Sequence, residues 1–489
     1  MTEEQYKALC EACDRVLLAP DATPERIAIS WLHVIREHPE LLPAYDVVFP
    51  NESKANHWFA GKVWLRTTLS SCKLFINKIA GTLRSPEPNK APSNADVLVI
   101  SHLINKNHVG ESRDFYFGEL IDALRGNGFT VVIGLINHVG FKGNVNPGHG
   151  PFNVPRILLS GSLSLREEFV LLSRVFAEAR RLKKRIALEP DALVKRCLQQ
   201  AARIAYSAIS NLQLAKEIGQ LVKQVQPKAI ITTFEGHAFE RLAYAAARKY
   251  NPKIICIGYQ HSVLFRLQHA IRRPLQPKFN PDWILTSGEQ ACEELTRTWG
   301  KSGTAVRVLG TRRVFKGNSG DAPNGRAVLV LPEGFVSECL FMFRIVMDVA
   351  RELPHQQFIL RLHPLTSCEE LVRLEPRLST FPSNIRWSAD SMEQDIKASS
   401  WVFYRGTSAV FEAIGGGCQP IYLERPGEMT IDPFYSIGGV RKSATDKDGL
   451  LRILSEPVSD SDHIIHATRK IFAPLRPEAL IDAIKVAPQ

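Results

Sequence analysis

AIITTFEGHAFERLAYAAARKYNPKIICIGYQHS (229–262) decides how this chain folds. It holds two apolar, β-branched runs, AIITTF and KIICIGY, with a helix-length segment between them. Strand, helix and strand within about thirty residues predict a parallel pair joined by a crossover helix. Each run ends in polar residues, FEGH (234–237) and GYQHS (258–262). Ligands of parallel α/β sheets bind beyond the carboxyl ends of the strands, so these two loops are expected side by side at one edge. Glu235 would serve there as base or nucleophile, with Gly236 giving a sharp turn and His237 and His261 close by. The plainer alternative is that Glu235 caps the following helix and His261 is structural.

The same alternation extends outward in both directions. DVLVISHL (96–103) and FTVVIGLI (129–136) read as strands flanking a helix over 114–128, and 137–153 as a long Gly/Asn-rich loop. Residues 161–225 read as helical. Strands WILTSG (283–288) and AVRVLG (305–310) follow, with a helix between them. A polar, Gly-containing break at 311–325 precedes a second series of strands: AVLVLP (327–332), FILRL (358–362), WVFY (401–404) and QPIYL (419–423). From Asp446 the chain reads as helical. Three regions are expected: helices and a Pro-rich linker over 1–95, a Rossmann-like domain over 96–315, and a second over 316–489 with C-terminal helices. The fold class is α/β, a pair of doubly wound domains with an N-terminal helical extension.

In the second domain, Arg361, His363 and Pro364 close one strand in RLHP. YRGTS (404–408) closes another and opens the helix AVFEAI. Thr407 and Ser408 fall at that helix's start, where free N–H groups favour anions. With Arg361, His363 and Arg405 they make a phosphate cradle, if the two strand ends are adjacent. Glu412, one turn into the helix, suits ribose hydroxyls, and Glu333 with Gly334 suits the base. Separately, Thr407 would be only an N-cap and Pro364 only a strand stop.

The net charge of +11 favours anionic partners. No nucleic-acid signature accompanies it. Nine scattered cysteines suggest a reducing compartment rather than a disulfide framework. Cys10 and Cys13 form a lone C-x-x-C without a partner pair, so they read as two partly buried thiols. The polar N-terminus is not a secretory signal, and no apolar run is long enough to span a bilayer. A cytoplasmic protein is expected. Residues 54–84 hold six Lys/Arg, no Asp or Glu, and interleaved aromatics including Trp58 and Trp64. That composition suits the surface of an anionic inner membrane, or else a core-packed helix with a solvated basic face. No D-x-D at a strand end, H-E-x-x-H or Cys/His zinc spacing is present, so no metal is expected. Neither a dinucleotide fingerprint nor a P-loop occurs, and no cofactor is expected.

At RLHP and RGTSAVFEAI the chain resembles bacterial GT-B glycosyltransferases of surface-carbohydrate synthesis, of the capsule Kdo transferase and sialyltransferase type. A similar pair occurs in CDP-glycerol glycerophosphotransferases. FEGH resembles a shortened form of those transferases' acidic-acidic-Gly motif, with Phe234 in place of the first acid. The resemblance implies a GT-B-like, metal-independent transferase acting from a CMP-linked nonulosonic sugar onto a surface polysaccharide or glycolipid. His363, Thr407 and Ser408 would then contact the CMP phosphate. Glu235 would act on the acceptor or anomeric carbon, and His261 and Arg266 would meet the sugar carboxylate. The rivals are a CDP-alditol phosphotransferase, a nucleotide-sugar 2-epimerase and a non-catalytic assembly protein.

Overall fold

The computed structural model describes residues 1–49, 92, 94–111, 113–141, 154–160, 163–311, 325–364, 366–439, 441–457 and 462–486. The basic segment 54–84, most of the loop 137–153 and most of the break 311–325 lie outside these residues.

Two all-parallel sheets organise the chain. The first contains β1 (Val97–Leu103), β2 (Val131–Asn137), β3 (Arg156–Leu159), β4 (Ala229–Thr233), β5 (Ile255–Gln260), β6 (Trp283–Thr286) and β7 (Ala305–Val308). Its order is β3-β2-β1-β4-β5-β6-β7. The second contains β8 (Ala327–Leu331), β9 (Phe358–Leu360), β10 (Ile385–Trp387), β11 (Ser399–Tyr404), β12 (Gln419–Leu423) and β13 (Lys442–Ala444), in the order β10-β9-β8-β11-β12-β13. Each order reverses once, between β1 and β4 and between β8 and β11. These two topological switch points are where an open α/β sheet leaves a crevice for a ligand.

The central strands are largely apolar because both faces of each sheet are covered. Val97 and Val99 pack against Leu120, Leu124 and Leu480 on one face. Leu98 and Ile100 pack against Ile218, Val222 and Ala243 on the other. In the second sheet Val328 and Val330 meet Phe343 and Val346, while Leu329 and Leu331 meet Val410 and Phe411.

The domain boundaries differ from expectation at both ends. The helix Glu3–Leu17 and the turns after it share one core with the helices Leu165–Leu188 and Ala192–Arg203, so 1–49 is a layer of the first domain. Cys10 and Cys13 are both buried in that core. At the other end the chain crosses back to the first domain: Ala473 N donates to Ser287 O at 2.9 Å, and Arg476 N to Leu309 O at 2.8 Å. The last helix, Pro477–Lys485, buries Leu480, Ile481 and Ile484 against the first sheet. The second domain over 316–489 therefore does not keep its final helix. The apolar stripe of that helix packs beside the helix Gly118–Gly126 and against β6. The crossing is close enough to need glycine: a Cβ at Gly288 would overlap the Ile471 carbonyl.

A third difference concerns the proposed phosphate cradle. RLHP follows β9 and RGTS follows β11, and β8 lies between them. The two motifs are thus not at adjacent strand ends. The loop Pro332-Glu333-Gly334 separates them.

Candidate functional site

At the switch point of the first sheet, polar groups gather from five segments. Glu235 and His237 follow β4. Ser262 follows β5, and its hydroxyl donates to Glu235 Oε1 at 2.7 Å. His237 Nε2 lies 3.4 Å from Glu235 Oε2. His102, near the end of β1, spans the switch point: its Nε2 is 2.9 Å from Thr233 Oγ1 and its Nδ1 is 2.9 Å from Nε2 of His138, which follows β2. His261 lies edge-on to Tyr116, with ring centroids 5.0 Å apart.

The local backbone explains why Glu235 and His237 stand where they do. Gly236 has φ +86°, and a Cβ on it would collide with the backbone of Ala270. Only glycine fits that turn without strain. The buried Glu240, one turn into the helix Ala238–Tyr250, reaches back and accepts the backbone N–H groups of Glu235, Gly236 and His237 at 3.0, 2.8 and 2.8 Å. Three helix-start donors are satisfied by one carboxylate, which fixes the loop as a capping box does. Glu235 is not this cap; Glu240 is.

The charges of the cluster are strongly biased. Burial would raise the Glu235 carboxyl, but His237 first, then His261 and the Ser262 hydroxyl, hold it well below the usual carboxylate range. Burial disfavours protonation of His237, yet the neighbouring Glu235 and Glu240 raise its pKa above the ordinary value. Each group thus favours the charged form of the other. Burial, followed by the nearby His138, His261 and His237, pushes His102 down to about 3, so that ring is neutral. Asp114 stands apart. It accepts from Ser101 Oγ and the N–H groups of Tyr116 and Phe117, all at 2.9 Å, and so holds a turn.

In the second domain the groups converge on the end of β8. Glu333 is buried, and Gly334 makes room for His363: a Cβ there would lie 2.9 Å from His363 Nδ1. A Cβ on Gly406 would lie 2.7 Å from the Glu333 carboxyl carbon, so the RGTS loop touches the same carboxylate. Thr407 is buried and its Oγ1 accepts from Ala409 N at 3.2 Å. Ser408 O accepts from Phe411 N. The helix behind them, Val410–Gly415, is only six residues long, and Glu412 is partly exposed on it. Pro364 is exposed.

Two arginines expected in the cradle are engaged elsewhere. Arg405 is buried and ion-paired with Glu338 and Glu428. Arg361 donates to Asp395 at 2.8 Å and to Ser388 at 2.9 Å, on the wall of a cavity of ≈ 370 Å³ that Trp387 and Asp390 also line. Arg266 is likewise paired, with Glu3.

The cation between the domains comes instead from the N-terminal layer. Ile35 O accepts from His269 N at 3.1 Å, and Glu37 Oε1 accepts from Leu267 N at 2.7 Å, which anchors 35–38 to the first domain. From that anchor Arg36 and His38 reach Glu333 of the second domain. Burial would raise Glu333, but Arg36 and His38 hold it below its ordinary value. The charge of Arg36 is also felt by His237.

The two sheets, each reversing once and joined through their carboxyl edges, make a pair of Rossmann-like domains. The fold is GT-B-like. The chain is similar to the UDP-GlcNAc 2-epimerase of Methanocaldococcus jannaschii, with a TM-score of 0.48 and 12% identity over 80% of this chain and 99% of that one. It is similar to a UDP-forming α,α-trehalose-phosphate synthase from Burkholderia vietnamiensis, with a TM-score of 0.49 and 13% identity over 81% and 98% of the two chains. It is also similar to the glycotransferase of kitacinnamycin, with a TM-score of 0.44 and 12% identity over 81% and 100%. No family model matches the chain, and no curated protein matches it.

His102, His138, Tyr116 and Arg36 were not singled out from the sequence. His102 had a visible signal, since Ser101 and His102 are polar near the end of a strand that is otherwise apolar, and His138 follows its strand directly. Arg36 had none, because only tertiary packing brings 35–38 to the cleft.

Proposed function

We propose that this protein is a GT-B-like glycosyltransferase that moves a sugar from a nucleotide donor onto a bacterial surface polysaccharide or glycolipid. The donor is a CMP-linked Kdo or another nonulosonic acid. One observation supports the reading: an ordered Glu235–His237 pair stands at the switch point of the first sheet, while Arg36, from a layer anchored to that domain, meets Glu333 beside the switch point of the second. The acceptor lies on the first domain and the nucleotide on the second.

In its neutral form His237 takes the proton of the acceptor hydroxyl as the new glycosidic bond forms and the bond to the donor phosphate breaks. Glu235, ionised and bonded to Ser262, holds the imidazole and stabilises the imidazolium that results. This moves the proton-transfer role from Glu235 to its neighbour, since a carboxylate held so far below its ordinary pKa is a weak base. The leaving phosphate is met by cationic and hydroxyl groups, so turnover does not require a divalent metal. The protein works in the cytoplasm, at the inner membrane surface where lipid-linked acceptors reside.

The test is incubation with CMP-, CDP- and UDP-linked donors, with and without a saccharide acceptor and with EDTA, followed by product analysis. Sugar transfer that persists in EDTA supports the proposal. A product retaining phosphorus from the donor points to an alditol phosphotransferase, and an isomerised nucleotide sugar without acceptor points to an epimerase. No nucleotide binding at all would make it a non-catalytic protein.

A further inference from the structure

The helix Leu165–Leu188, LREEFVLLSRVFAEARRLKKRIAL, carries more apolar residues than its packing uses. Leu171, Val175 and Leu182 recur at helical spacing and are buried in the core shared with the N-terminal layer. Glu178, on the same side, is buried and accepts from Arg26 at 2.6 Å. One such stripe is all that a surface helix needs to pack.

At about 100° per residue, Leu165, Phe169 and Phe176 fall together on the opposite side. Phe169 is 68% exposed and Phe176 64%. Of the nine large hydrophobic side chains exposed among the described residues, five lie on this one helix: these three, Val170 and Leu188. Single exposed apolar residues are ordinary, but a concentration of them marks an interaction surface.

The charges decide which partner fits. The line through Leu165, Phe169 and Phe176 runs on into Arg180 and Lys183, both exposed, with Arg166 and Lys184 beside it. None of these four cations makes an ion pair among the described residues, whereas Arg174, Arg181 and Arg185 are paired with Glu25, Glu178 and Asp21. The carboxylates of the helix are engaged elsewhere: Glu167 with Lys216, Glu168 with Gln213 and Glu178 with Arg26. The outer face therefore joins exposed phenylalanines to unpaired cations, with no carboxylate between them. A second copy of the chain does not suit it, because a helix pair would bury Arg180 and Lys183 without counter-charges. The basic segment 54–84 does not suit it either, since it holds six Lys/Arg and no Asp or Glu. An anionic lipid surface does: apolar side chains enter the acyl boundary while the cations meet the lipid phosphates.

We propose that the outer face of the helix Leu165–Leu188 docks the protein onto an anionic membrane surface. This rests on the reading of the protein as one that works at a membrane, and not on the transfer chemistry. The helix packs into the first domain, which carries the Glu235–His237 pair, so docking through it brings the proposed acceptor side to the lipid.

The experiment measures binding of the full chain, without donor or acceptor, to vesicles of phosphatidylcholine alone and to vesicles containing phosphatidylglycerol. The parent is expected on the anionic vesicles only, and less at high salt. Phe169→Ser/Phe176→Ser is expected to weaken that binding by about tenfold or more, and Arg180→Gln/Lys183→Gln to weaken it and flatten its salt dependence. Both variants change exposed side chains, so their unfolding in urea should match the parent's. Should the phenylalanine variant lose its fold, the cation variant decides. Parental binding in the folded variants, or a parent that ignores anionic vesicles, overturns the docking face. So does a dimeric parent that the phenylalanine variant turns into a monomer, which would make the face an interface between copies. Sugar transfer to a soluble acceptor by a parent that binds no vesicle overturns this inference and leaves the transfer reading standing, and vesicle binding without any transfer does the reverse.

Discussion

Ser262 Oγ donates to Glu235 Oε1 at 2.7 Å, joining the loop after β5 to the loop after β4. Glu235 Oε2 meets His237 on its other side. A carboxylate engaged by both oxygens is fixed in place, and so is the imidazole it faces. That is the preorganisation an acid–base pair needs.

The first consequence concerns catalysis. Glu235→Gln keeps the size and the bond to Ser262 but removes the charge that stabilises the imidazolium. Turnover is expected to fall by ~10²-fold or more, while nucleotide affinity stays at the parental level. His237→Gln should fall at least as far. Near-parental turnover in both, measured under saturating donor, would remove the pair from the reaction.

The same pair sets a pH dependence of stability. The folded pKa of His237 is raised above its ordinary 6.5, so its contribution is complete below that value and fades as pH rises through the folded value. The folded pKa of Glu235 is lowered from 4.5, so its contribution is complete above that value and is lost as pH falls through the folded one. The stabilisation by the pair is therefore greatest between 4.5 and 6.5. Urea unfolding of the parent and His237→Gln should differ most at a pH inside that window and least in alkaline solution. A difference that grows with rising pH would show that the imidazolium is not the stabilised form.

Gly236→Ala tests the turn that carries the pair. The new Cβ would sit in a left-handed conformation and collide with the Ala270 backbone. A loss of about 2 kcal/mol or more in unfolding free energy is expected, with turnover reduced because His237 moves. Parental stability and rate together would mean that the loop relaxes freely and that its conformation is not what places Glu235.

Most of the scaffold was legible in the sequence because central parallel strands are buried on both faces and so appear as unbroken apolar runs. DVLVISHL, AIITTF, KIICIGY, AVLVLP and QPIYL all became strands within a residue or two of their expected limits. The strands that escaped notice, Arg156–Leu159, Ile385–Trp387 and Lys442–Ala444, are short and lie at sheet edges. There one neighbour suffices and polar residues are tolerated. The convergence of Glu235, His237, His261 and Ser262 followed from β4 and β5 being adjacent. The phosphate cradle was less legible. Motif order in the chain does not reveal that β8 separates RLHP from RGTS, nor that Arg405 is neutralised by Glu338, which starts the helix Val336–Glu352. Ion-pair partners distant in sequence leave no local pattern.

Residues 54–84 support a prediction from their composition. Their cations and interleaved tryptophans should bind vesicles rich in anionic lipid and ignore neutral ones, more weakly at high salt. Co-sedimentation of the parent and a Trp58→Ala/Trp64→Ala variant is the measurement. Equal binding by both would leave the segment without a membrane role.

Arg405 gives the sharpest contrast between a binding and a structural arginine. Its side chain and that of Glu338 are each 1% exposed, and Glu428 meets its other arm. Arg405→Met removes the cation and leaves Glu338 buried and uncompensated, a change that typically costs about 3–5 kcal/mol. Unfolding in urea should therefore shift to markedly lower denaturant. The fraction that remains folded should bind nucleotide with parental affinity, because Arg405 faces carboxylates rather than the cleft. Lost affinity with unchanged stability in Arg405→Met would return Arg405 to the phosphate site.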